Sequence, residues 1–201
     1  MPDVPLVAHS PTEACLFLLV TPCSLCHKGP VEDLHAHTVN DRDAGAIVTV
    51  EGTCSACGGR NTHSFRLAQN GPSDEEVDPP QVNRTDSPSR IIDVAQWLTL
   101  FRMMREEAGK ESDKVQARQL EIEAGQCLDE ALKFYDDADN DLPREEAFFG
   151  DESLGRFRNN PQQYSRQRLI DLKSQLPARL PSTLRGSSQS VSKRRWWRWR
   201  K

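Results

Sequence analysis

Residues 23–57 read CSLCHKGPVEDLHAHTVNDRDAGAIVTVEGTCSAC. Two Cys-x-x-Cys pairs, Cys23/Cys26 and Cys54/Cys57, flank an intervening segment of 27 residues, positions 27 to 53. A tight turn over each pair can present two thiolates to one ion, and its backbone can donate N–H groups to the sulfurs. Glycine at or just after the second cysteine eases such a turn: Gly58 follows Cys57 directly, and Gly29 lies three residues past Cys26. Two facing turns complete a closed four-sulfur shell, which suits structural Zn2+, whereas catalytic zinc keeps an open position. Cys23, Cys26, Cys54 and Cys57 are therefore read as ligands of one structural zinc ion. Iron or another metal fits the same sulfurs, and two redox-active dithiols would show the same spacing. Redox pairs usually sit singly at a strand–helix junction, and no helical pattern follows either pair here.

Working outward, Ala46 to Gly52 is a β-branched run leading into the second pair, and Thr62 to Leu67 alternates, with His63, Phe65 and Leu67 on one face. Both predict strands. The apolar run Cys15 to Thr21 predicts a buried strand entering the first pair. Val31 to Thr38 is ambiguous, a short strand being the best reading, and positions 40–45 form a turn. Residues 1–13 read as a loose lead-in. The order is strand, knuckle, hairpin, knuckle, strand. These paired knuckles on a three-stranded pattern resemble the zinc-ribbon fold group over roughly residues 14–68. The resemblance implies metal binding on a small antiparallel sheet and implies no particular activity. The 27-residue intervening segment is somewhat long for a minimal ribbon.

Beyond the ribbon, prolines and acids at 69–89 mark a linker. Ser87 as N-cap with Pro88 in the first helical position predicts a helix start, with Ser89 as a competing cap. Ile91, Val94, Ala95, Leu98 and Phe101 fall at helical spacing, and Gly109 marks a break or kink. A second stripe through Leu120, Ala124, Cys127, Leu128 and Ala131 predicts a helix from about Ser112 to Tyr135. Two amphipathic helices on a short link read as an antiparallel hairpin. Asp151 could cap a brief helix, and Asn160-Pro161 opens another that Pro177 stops. The predicted organisation is α+β: ribbon 1–68, linker 69–89, helical hairpin 90–137, short helices 138–176 and a disordered tail 177–201. The helical part resembles, in general look, bacterial proteins of no assigned activity.

Hydrophobic residues make up 36% of the 201 residues. That is below the usual share of roughly 45–50%, a figure that also counts Gly. It argues for two modest ordered regions rather than one large core. Such a small ribbon buries too little apolar surface to fold comfortably without a metal. From position 177 onward there are eight basic residues and no acid, leaving 18 basic against 30 acidic residues in the rest. Lys193, Arg194, Arg195, Trp196, Trp197, Arg198, Trp199, Arg200 and Lys201 interleave cations with three tryptophans. Such a segment can hold phosphates and stack on unpaired bases, or lie at a lipid headgroup boundary. It can equally dock on the acidic body, or serve no selected role. No convincing secretory signal and no stretch of about 20 apolar residues is found, and paired cysteines without a disulfide framework point to the reducing cytoplasm.

His27, His35, His37 and His63 cluster around the ribbon in sequence, but four cysteines already complete one shell, so ordinary imidazoles are the preferred reading. Cys127 reads as a small buried hydrophobe. No phosphate-binding glycine loop, Gly-x-Ser-x-Gly elbow or His-Glu-x-x-His motif is present. The best reading is a non-catalytic zinc-binding adaptor with a protein partner. The alternative is a nucleic-acid-associated protein that uses the basic tail, with binding to a membrane surface less favoured.

Overall fold

The computed structural model describes residues 6–41, 45–68, 82–135 and 140–178. They form a mixed α+β structure of one four-stranded sheet and five α-helices, in two compact units. Described residues up to Thr85 belong to the first unit and those from Asp86 to the second. The linker residues 69–81 and the basic tail 193–201 lie outside the described residues.

In the first unit the order is β1 (Leu6–Ala8), α1 (Pro11–Val20), β2 (Val31–Asp41), β3 (Gly45–Cys54) and β4 (Arg60–Leu67). The sheet order is β1-β4-β3-β2, with both β3 pairings antiparallel and β1 parallel to β4. Alternation on β3 sends Val48, Val50, Gly52 and Cys54 into the interior, and Phe65 of β4 joins them. Val48 pairs with Phe65, and Val50 with His63, so one face of the sheet is apolar. Helix α1 packs on that sheet, with Phe17 edge-on to Phe65 at 5.6 Å between ring centroids.

Two expectations are corrected here. The run Cys15 to Thr21, read as a strand, lies almost wholly in α1. A continuous apolar run has no decisive period, and what settles it lies upstream. Ser10 accepts the Glu13 N–H at 3.1 Å, Pro11 occupies the first turn, and the Glu13 carboxylate turns back to accept the His9 N–H. Leu16 and Leu18 are buried, as suits a helix that is apolar on nearly every side. The sheet also has four strands instead of three. The additional strand, β1, comes from the presumed lead-in, where Leu6, Val7 and Ala8 pair with Phe65, Arg66 and Leu67. A three-residue strand is too short for alternation to reveal it. β2 runs past its sequence signal because Val39, Asn40 and Asp41 pair with Ile47, Ala46 and Gly45, so the turn expected at 40–45 is shorter; a bulge between Glu32 and His35 shifts the register against β3. Asp33 at the bulge has φ 49°, and Gly52 lies where a Cβ would come within 2.6 Å of Val31 Cγ1 and 2.7 Å of the Glu32 carbonyl oxygen.

In the second unit α2 (Val94–Lys110) and α3 (Lys114–Leu132) pack on one another across the link 111–113. The predicted start at Ser87-Pro88 moves to Asp93, whose side chain accepts from Gln96 N–H while Gln96 Oε1 accepts from Asp93 N–H. Ser89 instead takes the N–H groups of Ile91 and Ile92. α2 ends one residue past Gly109, at Lys110, so the expected break falls at the link 111–113. Trp97, Leu100 and Leu128 are buried, and Cys127 Sγ of α3 lies 3.6 Å from Met104 Sδ of α2. Two shorter helices follow, α4 (Asp151–Asn159), capped at Gly150 rather than by Asp151, and α5 (Arg166–Ser174), capped by Ser165. The Asn160-Pro161 signal opens only a 3-10 turn, Pro161–Tyr164. Phe148 stacks on Phe157 at 4.5 Å, with Tyr164 edge-on to both. Asp93 joins this region to α2, since its second oxygen accepts the Phe149 N–H at 3.1 Å.

Candidate metal centre

The first knuckle follows α1 directly, at the C-cap Thr21, and the second fills the connection from β3 to β4. The four Sγ atoms of Cys23, Cys26, Cys54 and Cys57 all lie within 4.8 Å of one another. Across the knuckles, Cys23 to Cys57 is 3.9 Å and Cys26 to Cys54 is 3.7 Å. A tetrahedral ion with metal–sulfur bonds of about 2.3 Å has a sulfur–sulfur edge of about 3.8 Å. A disulfide needs about 2.05 Å, and no disulfide joins any of the cysteines. The separations therefore fit four thiolates around a common metal ion. All four directions of such an ion would be taken by protein sulfur.

The backbone repeats itself across the two knuckles. His27 N–H donates to the Cys23 carbonyl and Gly58 N–H to the Cys54 carbonyl, each at 2.9 Å. Cys23 N–H donates to Lys28 O at 3.3 Å, and Cys54 N–H to Gly59 O at 2.9 Å. The residue after each second cysteine is left-handed, His27 at φ 54° and Gly58 at φ 68°. Glycine serves this position in the second knuckle, and a histidine tolerates it in the first. The knuckles also touch. Gly29 has φ 22°, and a Cβ there would lie 2.7 Å from Ala56 Cβ.

N–H donors surround the sulfurs. Leu25 N–H donates to Cys23, Ala56 N–H to Cys54 and Gly59 N–H to Cys57, all at 3.4 Å. Lys28 N–H serves Cys26, and Cys26 N–H also serves Cys23. Burial opposes ionisation of Cys23, but the Asn61 carboxamide and the N–H groups of Cys26 and Leu25 outweigh it and bring that thiol down to about 6. For Cys26 the Lys28 N–H acts downward, yet burial and the three neighbouring sulfurs prevail and push it up to about 12. A metal ion resolves this competition by replacing the shared protons with positive charge.

One residue of the centre carried no signal in the sequence reading. Asn61, at the start of β4, is buried, with 1% of its surface exposed. Its Oδ1 accepts from Ser24 N–H at 3.0 Å and Ser24 Oγ–H at 2.8 Å. Its Nδ2 donates to Cys23 Sγ at 3.3 Å and Gly59 O at 3.1 Å.

None of the histidines joins the sulfur cluster. His27 occupies the knuckle with an exposed side chain. His35 and His37 lie along β2 opposite Glu51 and Thr49, on the more open sheet face. His63 stacks with Phe65 and meets Phe17 edge-on, and burial lowers its pKa from the ordinary imidazole value. Cys15 and Cys127 are buried apart from the centre, and burial pushes the Cys15 thiol up to about 12. Among the described residues, the four cysteines are the one group of three or more His, Cys, Asp or Glu side chains close enough to hold a metal. Comparison with protein-family models, curated proteins and solved structures returned no match for this chain. Among the described residues, no helix is long and apolar enough to cross a membrane.

Proposed function

We propose that the first unit is a structural zinc module of zinc-ribbon type, and that the chain is a non-catalytic interaction protein of the reducing cytoplasm. The observation that carries this reading is the sulfur geometry: edges of 3.7 and 3.9 Å, backbone N–H donors on the sulfurs and no direction left for a substrate. Zinc is preferred because four thiolates in a tetrahedron suit a d10 ion, and iron is the competing occupant. The remaining chain offers helices for a protein partner, α2 and α3 being read as an antiparallel hairpin. A structural metal that holds a small sheet supplies no chemistry of its own, so the activity assigned is binding.

Protein purified without chelator should contain one equivalent of zinc. Cobalt substitution should give the intense thiolate-to-metal bands and the visible d–d bands of a tetrahedral four-sulfur site. Less than about half an equivalent of metal, together with absent free thiols, would remove the zinc reading in favour of a disulfide. Co-purification through the 90–137 region tests the adaptor role, and recovery of no partner counts against it. The second reading rests on the composition of residues 193–201, where six arginines and lysines interleave with three tryptophans and no acid. If that tail binds nucleic acid, affinity should fall steeply with salt and vanish on its deletion.

A further inference from the structure

We infer that Asn61 is a positioning residue of the metal centre, fixing Cys23 as its anchored sulfur and leaving the exposed Cys57 as the sulfur at which the shell opens. This rests on the zinc reading above. The two knuckles act as an internal comparison. In the second, the Ser55 N–H and Oγ–H donate to the backbone carbonyl of Pro30, at 3.1 and 3.2 Å. In the first, the Ser24 N–H and Oγ–H donate to the side-chain oxygen of Asn61. The same pair of donors thus meets a backbone acceptor on one side and a carboxamide on the other. A carbonyl brings nothing further, whereas a carboxamide brings an NH2 group.

The partners settle which way that carboxamide faces. The Ser24 backbone N–H can only donate, so the atom it meets is Oδ1; the Gly59 carbonyl can only accept, so the atom it meets is Nδ2. The second Nδ2 hydrogen is then directed to Cys23 Sγ, 3.3 Å away. Cys23 accordingly receives the Leu25 backbone N–H and the Asn61 side-chain N–H. Its counterpart Cys54 receives the equivalent backbone donor, the Ala56 N–H. Each donor lowers the electron density on a thiolate and ties the sulfur in place, so the shell is uneven. Cys23 is buried, while Cys57 is exposed and takes the Gly59 N–H. A reagent from solvent therefore reaches Cys57 first and Cys23 last.

Zinc-loaded full-length protein treated with limiting iodoacetamide tests this. In each event a thiolate displaces iodide, one sulfur–carbon bond forms, and no redox change occurs. Peptide mass mapping should find Cys57 modified first, with zinc passing to a chromogenic chelator in step. In Asn61→Ala, Cys23 should be modified alongside Cys57, zinc release should accelerate about tenfold, and the thiolate-to-cobalt bands of the cobalt form should move to lower energy. Ser24→Ala keeps the carboxamide but weakens its hold, and should show a smaller change in the same direction, which decides the matter if Asn61→Ala does not fold. Ser55→Ala, its counterpart in the second knuckle, should leave the order of modification unaltered. Cys23 modified first in the wild type, or the wild-type order, rate and bands in both Asn61→Ala and Ser24→Ala, would overturn the inference while the zinc reading stands. Absence of thiolate bands from the cobalt-loaded wild type would overturn the zinc reading itself, and this inference with it.

Discussion

The matched left-handed residues of the two knuckles give a prediction whose sign and size follow from backbone conformation. His27 has φ 54° and Gly58 has φ 68° at equivalent positions. A non-glycine residue in this region costs about 1–2 kcal/mol, though histidine is among those that tolerate it better. Glycine relieves that cost but loses about 0.5–1 kcal/mol more conformational freedom on folding. The His27 side chain is exposed, so His27→Gly forfeits little packing. It should stabilise the zinc-loaded first unit by about 0.5–1 kcal/mol. Gly58→Ala is the reverse experiment. A Cβ there meets nothing within 4 Å, so its cost of about 1 kcal/mol is conformational alone. Gly29→Ala adds a collision to the strain, with Ala56 Cβ at 2.7 Å, and should cost a further 1–3 kcal/mol or so. For a unit of this size each kcal/mol moves Tm by about 4–8 °C. Thermal unfolding at saturating zinc, followed by circular dichroism, reads these shifts. The double variant His27→Gly/Gly58→Ala should fall near the wild type. A destabilised His27→Gly together with an unaffected Gly58→Ala would refute the reasoning.

Other outcomes follow from the same geometry. Removal of zinc by a chelator, or Cys54→Ala, should abolish the β signal of the first unit while helical circular dichroism from the second persists; loss of both together would show that the units do not fold independently. Zinc affinity should rise with pH, because thiolates bind the ion and protons compete. Cys26, at about 12, holds its proton at pH 7 and must release it, whereas Cys23, at about 6, competes only as pH falls toward that value. Calorimetry in two buffers of different ionisation enthalpy should accordingly detect at least about one proton released per zinc near neutrality, and none released would contradict the assignment. In the second unit, Asp93→Ala removes the cap of α2 and the acceptor of the Phe149 N–H, for a loss of about 1–3 kcal/mol in denaturant unfolding. Asp93→Asn, which retains a cap oxygen, should lose less.

The parts of the molecule legible in the sequence are those set by local pattern. The cysteine spacing named all four sulfurs of the cluster. β3 and β4 were readable because β-branched and alternating residues meet an apolar interior on one side only. The stripes of α2 and α3 were readable for the corresponding reason at helical period. The cap signals were present as well. Ser10-Pro11-Thr12-Glu13 and Asp93 to Gln96 both have the spacing of helix starts, and reading them would have replaced the supposed strand before Cys23 and moved the start of α2.

Sequence by itself determined which atoms can bind the metal and which segments have an apolar face, because ligand chemistry and side-chain period belong to the residues. Tertiary structure decided the rest: that the two knuckles bring Cys23 within 3.9 Å of Cys57 and Cys26 within 3.7 Å of Cys54, that Leu6 to Ala8 complete the sheet, and that Asn61 reaches a sulfur 38 positions away in the chain. Those arrangements depend on how separate segments meet. A lone asparagine or a three-residue strand has no periodicity of its own, and takes its role only from the donors, acceptors and strand edges that folding brings beside it.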